Sequence, residues 1–552
     1  MSSKHITYEN IIIGAGPAGL QLGYFFKQAN IPYVILERNE KAASFFQKYP
    51  LSGKLISINK KHVGTNKPAD FALRHDWNSL LSDKNHLFTD YSKDYYPDHE
   101  DIVRYMNDFA TKNELNIIYN ADVLRVKKHP ENDTYMLGVE TGTEKKKSVY
   151  VCKKLIVATG LSQPVRPESI INNSKTPIKH YADFEKDFFK KQENLDSYIN
   201  KSLLIIGNGN AAYELGNLLN PYCSTIAIAG RRPKPWAMST HYTGDLRAVY
   251  IPLYDTFLLK SLNGFDYGTE QFVINQETPT SKYEILYYCR DDNCAIRHKY
   301  LDNTIDGFDH VIVSTGWKFD GGIFDFEIDL TQPNTKYPAI TSRYESTNNT
   351  NLYFIGSLMH SMDYKKSSGG FIHGFRYLIE YFVNLNYTGA YNLSKFSTEA
   401  KDPLTPLVNH VIDKINNTSA LYQMYGQICD LFYEDQQTNT IVYYNNVHMN
   451  KYLFDMDPLP PNTHVFMLTL EYGNKKHITD IYELGVRVSG LGNENDATLL
   501  HPVLRVFKEM EDDHKILVDA FHFDEDLFAN FTFKDKYGEK LTRILRMFIE
   551  TI

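Results

Sequence analysis

Cysteine is scarce: five residues in 552 (Cys152, Cys223, Cys289, Cys294 and Cys429), an odd number without framework spacing. That argues against a disulfide-stapled fold and points to a reducing compartment. Long apolar runs are missing too, so nothing reads as a transmembrane helix, and Met1 to His5 enters the first strand without an apolar leader. The expected location is cytoplasmic. Excess positive charge is also lacking. A formal net charge of −8 argues against a nucleic-acid partner, and the lysines at 145–147 and 153–154 read as a solvated hairpin. What the chain does have is length and rings: 42% hydrophobic residues, 14% aromatic and 40 tyrosines. That is enough for several cores rather than one.

The first organised stretch is a strand, Asn10 to Ile13, running into Gly14-Ala15-Gly16-Pro17-Ala18-Gly19. A helix follows, then a second strand (Pro32 to Leu36) closed by Glu37, 23 residues after Gly14. Gly14 permits the tight turn, Gly16 lets backbone approach a pyrophosphate, and Gly19 allows close helix–strand packing. Glu37 is placed to hold ribose hydroxyls, with Ala18, Arg38 and Val123 assigned to the same dinucleotide. Tyr96-Pro97-Asp98-His99 opens a helix with Asp98 as its expected cap. A meander ends at Ile156-Val157-Ala158-Thr159-Gly160, whose Thr159-Gly160 turn returns to the first nucleotide.

A polar linker is expected over 166–200. Beyond it, Leu203 to Ile206 enters Gly207-Asn208-Gly209-Asn210-Ala211-Ala212, a second nucleotide turn. Gly207, Gly209, Asn210 and Ala211 are assigned to that cofactor. Its next strand ends in Gly230-Arg231-Arg232, so arginines stand where the ribose-binding acid would be. A carboxylate would repel a 2′-phosphate, whereas a guanidinium pairs with it, so the preference is NADPH. The strand from His310 to Ser314 closes this unit with Thr315-Gly316. Trp236 to Arg247 reads as a cleft loop.

The strand Leu352 to Ile355 runs into Gly356, then His360 and Asp363, then Gly369-Gly370-Phe371 before a helix to Val383. Gly356 at the end of that strand is assigned to the cofactor, and Gly370 and Phe371 to a helix N-terminus suited to negative charge. From about 395 the texture changes. A helix is expected over Val408 to Phe432, a strand over Val465 to Leu470 and an amphipathic helix over Leu541 to Ile552.

Two nucleotide turns in this order resemble the two-dinucleotide-binding-domain flavoproteins, and among them the class B flavin-containing monooxygenases. Of the fingerprint F-x-G-x-x-x-H-x-x-x-[YF] only His180 and Phe184 survive. A longer likeness runs through Leu55 to Lys60, Leu73 to Leu81, Thr240-His241-Tyr242, Gly244 to Ala248, Ser368 to Tyr377, Leu421 to Met424 and His501-Pro502-Val503. These segments resemble the FAD-dependent oxidoreductase domain-containing proteins, a family that includes the endoplasmic-reticulum flavoprotein associated with degradation.

The resemblance implies an α/β fold with two Rossmann-like dinucleotide-binding domains, for FAD (1–165 and 326–395) and NADPH (201–325), plus a C-terminal α+β region (396–552). It implies an FAD- and NADPH-dependent monooxygenase acting on a small-molecule substrate with molecular oxygen through a C4a-(hydro)peroxyflavin. Asn59 is then a donor beside the flavin, with His360, Asp363 and Arg247 as cleft groups; no metal is expected. Two other readings stand beside it. One is a thiol–disulfide flavoenzyme using Cys289 and Cys294. The other is structural FAD with a protein partner or homo-oligomer contact through the C-terminal region.

Overall fold

The computed structural model describes residues 5–84, 86–129, 132–233, 235–260, 262, 264–289, 307–473, 499–511, 514–523 and 533–549. Cys294, the tail 550–552 and residues 1–4 lie outside them.

β-branched runs dictate the first sheet. β1 (His5–Ile13) is followed by α1 (Pro17–Gln28), β2 (Tyr33–Leu36), α2 (His99–Lys112), β3 (Ile117–Ile118), β4 (Ala121–Lys128), β5 (Tyr135–Thr141) and β6 (Lys146–Val157). The order is β3-β2-β1-β6-β5-β4, with the later strand Leu352–Phe354 also on β6. β1, β2, β3 and β6 run parallel, and Ile11 to Ile13 are buried on both faces, which explains their uninterrupted apolar run. Asp98 does stand at the N-cap of α2, but its carboxylate pairs with Lys54 at 3.1 Å rather than capping the helix.

The second sheet is wholly parallel. It is built on β7 (Ser202–Ile206), followed by α3 (Asn210–Leu219), β8 (Thr225–Gly230), β9 (Gly264–Tyr267) and β10 (His310–Val313). Residues 166–200 are not a free linker. Lys179–His180 extends this sheet beside β10, and Ile170–Asn173 pairs with Thr269–Asn275. Backbone hydrogen bonding captures a stretch whose polar composition reads as a loop. His180 is fully buried; its Nδ1 accepts from the Ala182 N–H at 3.0 Å, and burial lowers its pKa to about 4.

β11 (Leu352–Phe354) leads to α4 (Ile372–Val383) and β12 (Leu393–Ser397). The helix expected over 408–432 is present in its first part, as α5 (Leu404–Asn417) and a further helical turn over Ala420–Gln423, and then ends. Gly426 takes φ +63°, and Ile428–Asp435 becomes β13. Asp430 explains the switch: fully buried there, it accepts from the Tyr443 hydroxyl at 2.8 Å and the Asn446 N–H at 2.7 Å of the neighbouring strand. The rest is β14 (Thr440–His448), β15 (His464–Tyr472), β16 (Leu500–Glu509), β17 (Lys515–His522) and α6 (Phe533–Phe548). The antiparallel order is β12-β14-β13-β15-β16-β17.

This sheet is no appendage. One apolar cluster runs from Leu20 on α1 through Ile379 on α4 to Val411, Leu431 and Leu504. Among the described residues no helix is long and apolar enough to cross a membrane.

Candidate functional site: two glycine cradles and the loop between them

Each nucleotide turn is held by contacts that only glycine allows. Gly14 (φ +104°) donates its N–H to Leu36 O at 2.9 Å, and a Cβ there would meet Ala158 O at 3.0 Å. A Cβ on Gly19 would enter the envelope of the Gly14 carbonyl oxygen, and one on Gly356 would collide with Ala18. Gly207 (φ +122°) repeats the pattern against the Ser314 carbonyl. Gly16 and Gly209 differ. They are the N-caps of α1 and α3, neither helix has a side-chain cap, and nothing lies within 4 Å of where their Cβ atoms would be. Open space over two uncapped helix N-termini fits the diphosphates of FAD and of a nicotinamide dinucleotide.

Glu37 is buried. Oε2 accepts from the Ala15 N–H at 2.8 Å, and Oε1 accepts from the backbone and amide of Asn39 at 3.0 and 2.8 Å. Arg38 and Thr159 are exposed, Gly160 takes φ +66°, and the Val123 side chain packs into the sheet core. In the second cradle Ala211 is half-buried, Gly316 (φ +87°) is open, and the Thr315 hydroxyl donates to Val165 O. Arg231 and Arg232 are both exposed just past the end of β8. Asn210 is engaged with protein: Oδ1 accepts from the Arg247 N–H at 2.9 Å and Nδ2 donates to Asp245 O at 2.9 Å.

Those bonds anchor the loop from Trp236 to Arg247 that spans the two cradles. The Arg247 guanidinium crosses to donate to Ile56 O at 2.7 Å and lies 5.1 Å from the Trp77 ring centroid. Tyr242 crosses as well, its hydroxyl 2.8 Å from His360 Nε2. His360 Nδ1 is 2.7 Å from Asp363 Oδ1, and Asp363 Oδ2 accepts from the Gly369 N–H at 2.7 Å. All three side chains are buried. With Nδ1–H given to the carboxylate, Nε2 accepts from the tyrosine, whose pKa burial raises. The structure thus joins His360, Asp363 and Arg247 through one loop. Tyr242, which completes the relay, was legible only as part of an aromatic stretch.

Asn59 is 1% exposed and occupied differently from expectation. Its amide nitrogen donates to Ser92 O at 2.9 Å and Asp94 O at 3.2 Å, while Oδ1 has no partner among the described residues. Its uncommitted atom is therefore an acceptor, not a donor.

Two buried contacts fasten the frame. Glu214 on α3 accepts from the Ser52 N–H at 2.7 Å and the Tyr181 hydroxyl at 2.8 Å, tying the second cradle to the first, and burial raises its pKa. Arg74 donates to Thr418 O at 2.7 Å and Ile415 O at 2.8 Å, so the C-terminal region braces the segment carrying Trp77. That region also reaches the loop: Tyr472 stacks on His241 with centroids 3.9 Å apart, and Tyr425 donates to His241 O at 2.7 Å.

The described free cysteines are poor nucleophiles. Cys152 and Cys429 are buried and Cys223 half-buried; burial raises all three thiol pKa values, Cys223 to about 12. Cys289 ends the strand Glu284–Cys289, and the loop that would carry it to Cys294 lies outside the described residues.

The profile of the family described as pyridine nucleotide-disulphide oxidoreductase matches residues 11–356. FAD-dependent oxidoreductase domain-containing protein 2 of Mus musculus is 32% identical over 520 residues, covering 90% of this chain and 76% of its own. Its namesake from Danio rerio is 32% identical over 467 residues, 78% of this chain and 65% of its own. Among solved structures, a flavin-containing monooxygenase from Stenotrophomonas maltophilia aligns over 68% of this chain and 96% of that chain, with a TM-score of 0.48 and 16% identity.

Proposed function

The chain belongs to the pyridine nucleotide-disulphide oxidoreductase family, and within it to the FAD-dependent oxidoreductase domain-containing proteins; on that premise we propose that it is an NADPH-dependent flavin monooxygenase acting on a small molecule. The observation that carries the reading is the loop Trp236 to Arg247, which brings groups from the second cradle onto the aromatic wall of the first. Bound in the first cradle, FAD supplies two-electron transfer from the nicotinamide and reaction with oxygen. The chain's own residues do the rest. Gly16 and the first turn of α1 receive one diphosphate, and Gly209 and α3 the other. Arg231 and Arg232 pair with the 2′-phosphate. Trp77, Phe371 and Tyr242 keep water from the reacting face. The Tyr242–His360–Asp363 relay holds a proton at the tyrosine oxygen. Over the cycle NADPH and a proton are consumed, one oxygen atom enters the substrate and the other leaves as water.

Replacing both arginines (R231A with R232A) should raise KM for NADPH about 10- to 100-fold, since charge-assisted bonds to phosphate contribute roughly 1.5–3 kcal/mol. KM for NADH should stay where it was, and steady-state kinetics with the two nucleotides decides it.

Oxygenation is tested by reducing the protein with NADPH under nitrogen and then admitting oxygen. A monooxygenase returns to the oxidised spectrum through a long-lived absorbance distinct from both end states. Immediate return with stoichiometric hydrogen peroxide would argue against oxygenation, and reduction of added disulfides would favour the thiol–disulfide reading.

A further inference from the structure

Arg247 is half-buried, and among the described residues its guanidinium makes one hydrogen bond, from Nη1 to Ile56 O at 2.7 Å. No carboxylate among those residues faces it. Its electrostatic neighbours are the hydroxyls of Tyr96, Tyr95 and Tyr250, and burial lowers its pKa. Other enclosed arginines are spent differently. Arg74 donates to two carbonyls, Arg376 to three, and half-buried Arg505 pairs with Glu471 at 2.8 Å. A cation taken partly out of water without a counter-charge is costly. Nε and Nη2 of Arg247 have no partner among the described residues, yet they are not shut away as Arg376 Nε is.

The surroundings supply flat apolar surface. Ile56 lies on the middle one of three extended segments. Leu55 and Asn59 donate their N–H groups to Pro97 O at 2.8 Å and Tyr95 O at 3.0 Å on one side, and Trp77 donates its N–H to Ile58 O at 3.1 Å on the other. Seated on Ile56 O, the guanidinium therefore has Trp77 on one flank and Tyr95 and Tyr96 on the other. Tyr95 is 48% exposed and neighbours Tyr422 as well, while Trp77, Tyr96 and Tyr422 are half-buried. Anchoring the loop does not call for this side chain. The bond to Ile56 O uses a single N–H, and Asn210 already holds the loop through the Arg247 N–H and Asp245 O. What remains is the Nε–Nη2 edge, the one that matches a carboxylate with two parallel bonds, beside aromatic area left in water.

We propose that Arg247 anchors the substrate: its Nε–Nη2 edge pairs with the carboxylate of a flat, apolar organic acid whose body packs on Tyr95, Tyr96 and Tyr422. The proposal gives the substrate class for the monooxygenase reading and rests on it. Binding makes and breaks no covalent bond.

The test is equilibrium calorimetry on the oxidised, FAD-loaded protein at fixed ionic strength. The probes are benzoate and phenylacetate, each beside its neutral amide, against wild type, Arg247→Gln and Arg247→Lys. In wild type at least one acid should bind about 10- to 100-fold more tightly than its amide, the value of charge-assisted bonds to a carboxylate. Arg247→Gln should abolish that preference, and Arg247→Lys, which keeps the charge without the fork, should restore only part of it. Affinity for NADPH should change less than twofold in both variants.

Acid and amide binding alike in wild type would overturn the proposal without recourse to any variant, as would a preference that survives in Arg247→Gln. Loss of NADPH affinity in Arg247→Gln with acid binding intact would overturn it too, since the anion would then belong to the nucleotide. Failure of the underlying reading looks different. Acids held through Arg247, in a protein whose NADPH-reduced flavin returns at once with hydrogen peroxide, would refute oxygenation and leave the carboxylate site.

Discussion

Gly19→Ala will yield a protein that no longer retains FAD. The new methyl group would occupy the space of the Gly14 carbonyl oxygen, a backbone atom fixed by the strand turn. Because α1 and β1 both sit in the core, the clash cannot be relieved by a side-chain rotation. The helix must move off the sheet, at a cost at or above the roughly 1–3 kcal/mol of ordinary overpacking. About 3 kcal/mol taken from binding is roughly a 100-fold loss of affinity. Gly16→Ala is the informative partner. Its methyl group meets no protein atom within 4 Å, so the apoprotein should keep its melting temperature while FAD affinity falls. Titration of the two apoproteins with FAD, set beside their melting curves, separates a packing defect from an obstructed diphosphate.

Arg376→Leu will be the most destabilising single change away from the cradles. Arg376 is fully buried; Nη1 donates to Asp76 O at 3.0 Å and Ser79 O at 2.8 Å, and Nη2 donates to Leu73 O at 2.8 Å. The guanidinium therefore closes the backbone of the segment carrying Trp77 onto α4. Leucine fills part of the volume but strands the Asp76 and Ser79 carbonyls, each costing about 1–3 kcal/mol, while Leu73 O keeps the Gln423 amide at 3.3 Å. The two stranded carbonyls together cost about 2–6 kcal/mol. Arg376→Lys keeps the charge and loses the fork, so it should recover little. Denaturant unfolding gives the magnitude. Retained stability with an undisturbed flavin environment would mean that this segment is held by other contacts.

How legible these features were depended on how local their physics is. Each cradle is a turn of six residues between a strand and a helix, so Gly14 to Gly19 and Gly207 to Ala212 announce themselves by spacing. The buried strands around Ile12 and Ile205 follow for the same reason. The helix expected over 408–432 was right only as far as Gln423, because from Ile428 the chain is a strand in which Asp430 is held by Tyr443 and Asn446, partners on another strand. Residues 166–200 look like a linker until β10 and Thr269–Asn275 supply hydrogen bonds. The site itself is the least local part. Tyr242 meets His360 across 118 residues, and Glu214 meets Ser52 across 162. Asn59 was visible as a polar residue of its loop, but which of its atoms is left uncommitted depends on Ser92 and Asp94, which its neighbours in sequence do not reveal.

Hydride passing between two nucleotides held in neighbouring cradles is tested most directly by anaerobic mixing of the FAD-loaded protein with NADPH. The prediction is complete bleaching of the flavin absorbance by one equivalent of NADPH, with NADH at least tenfold slower. A flavin that dithionite reduces but neither nicotinamide touches would contradict it.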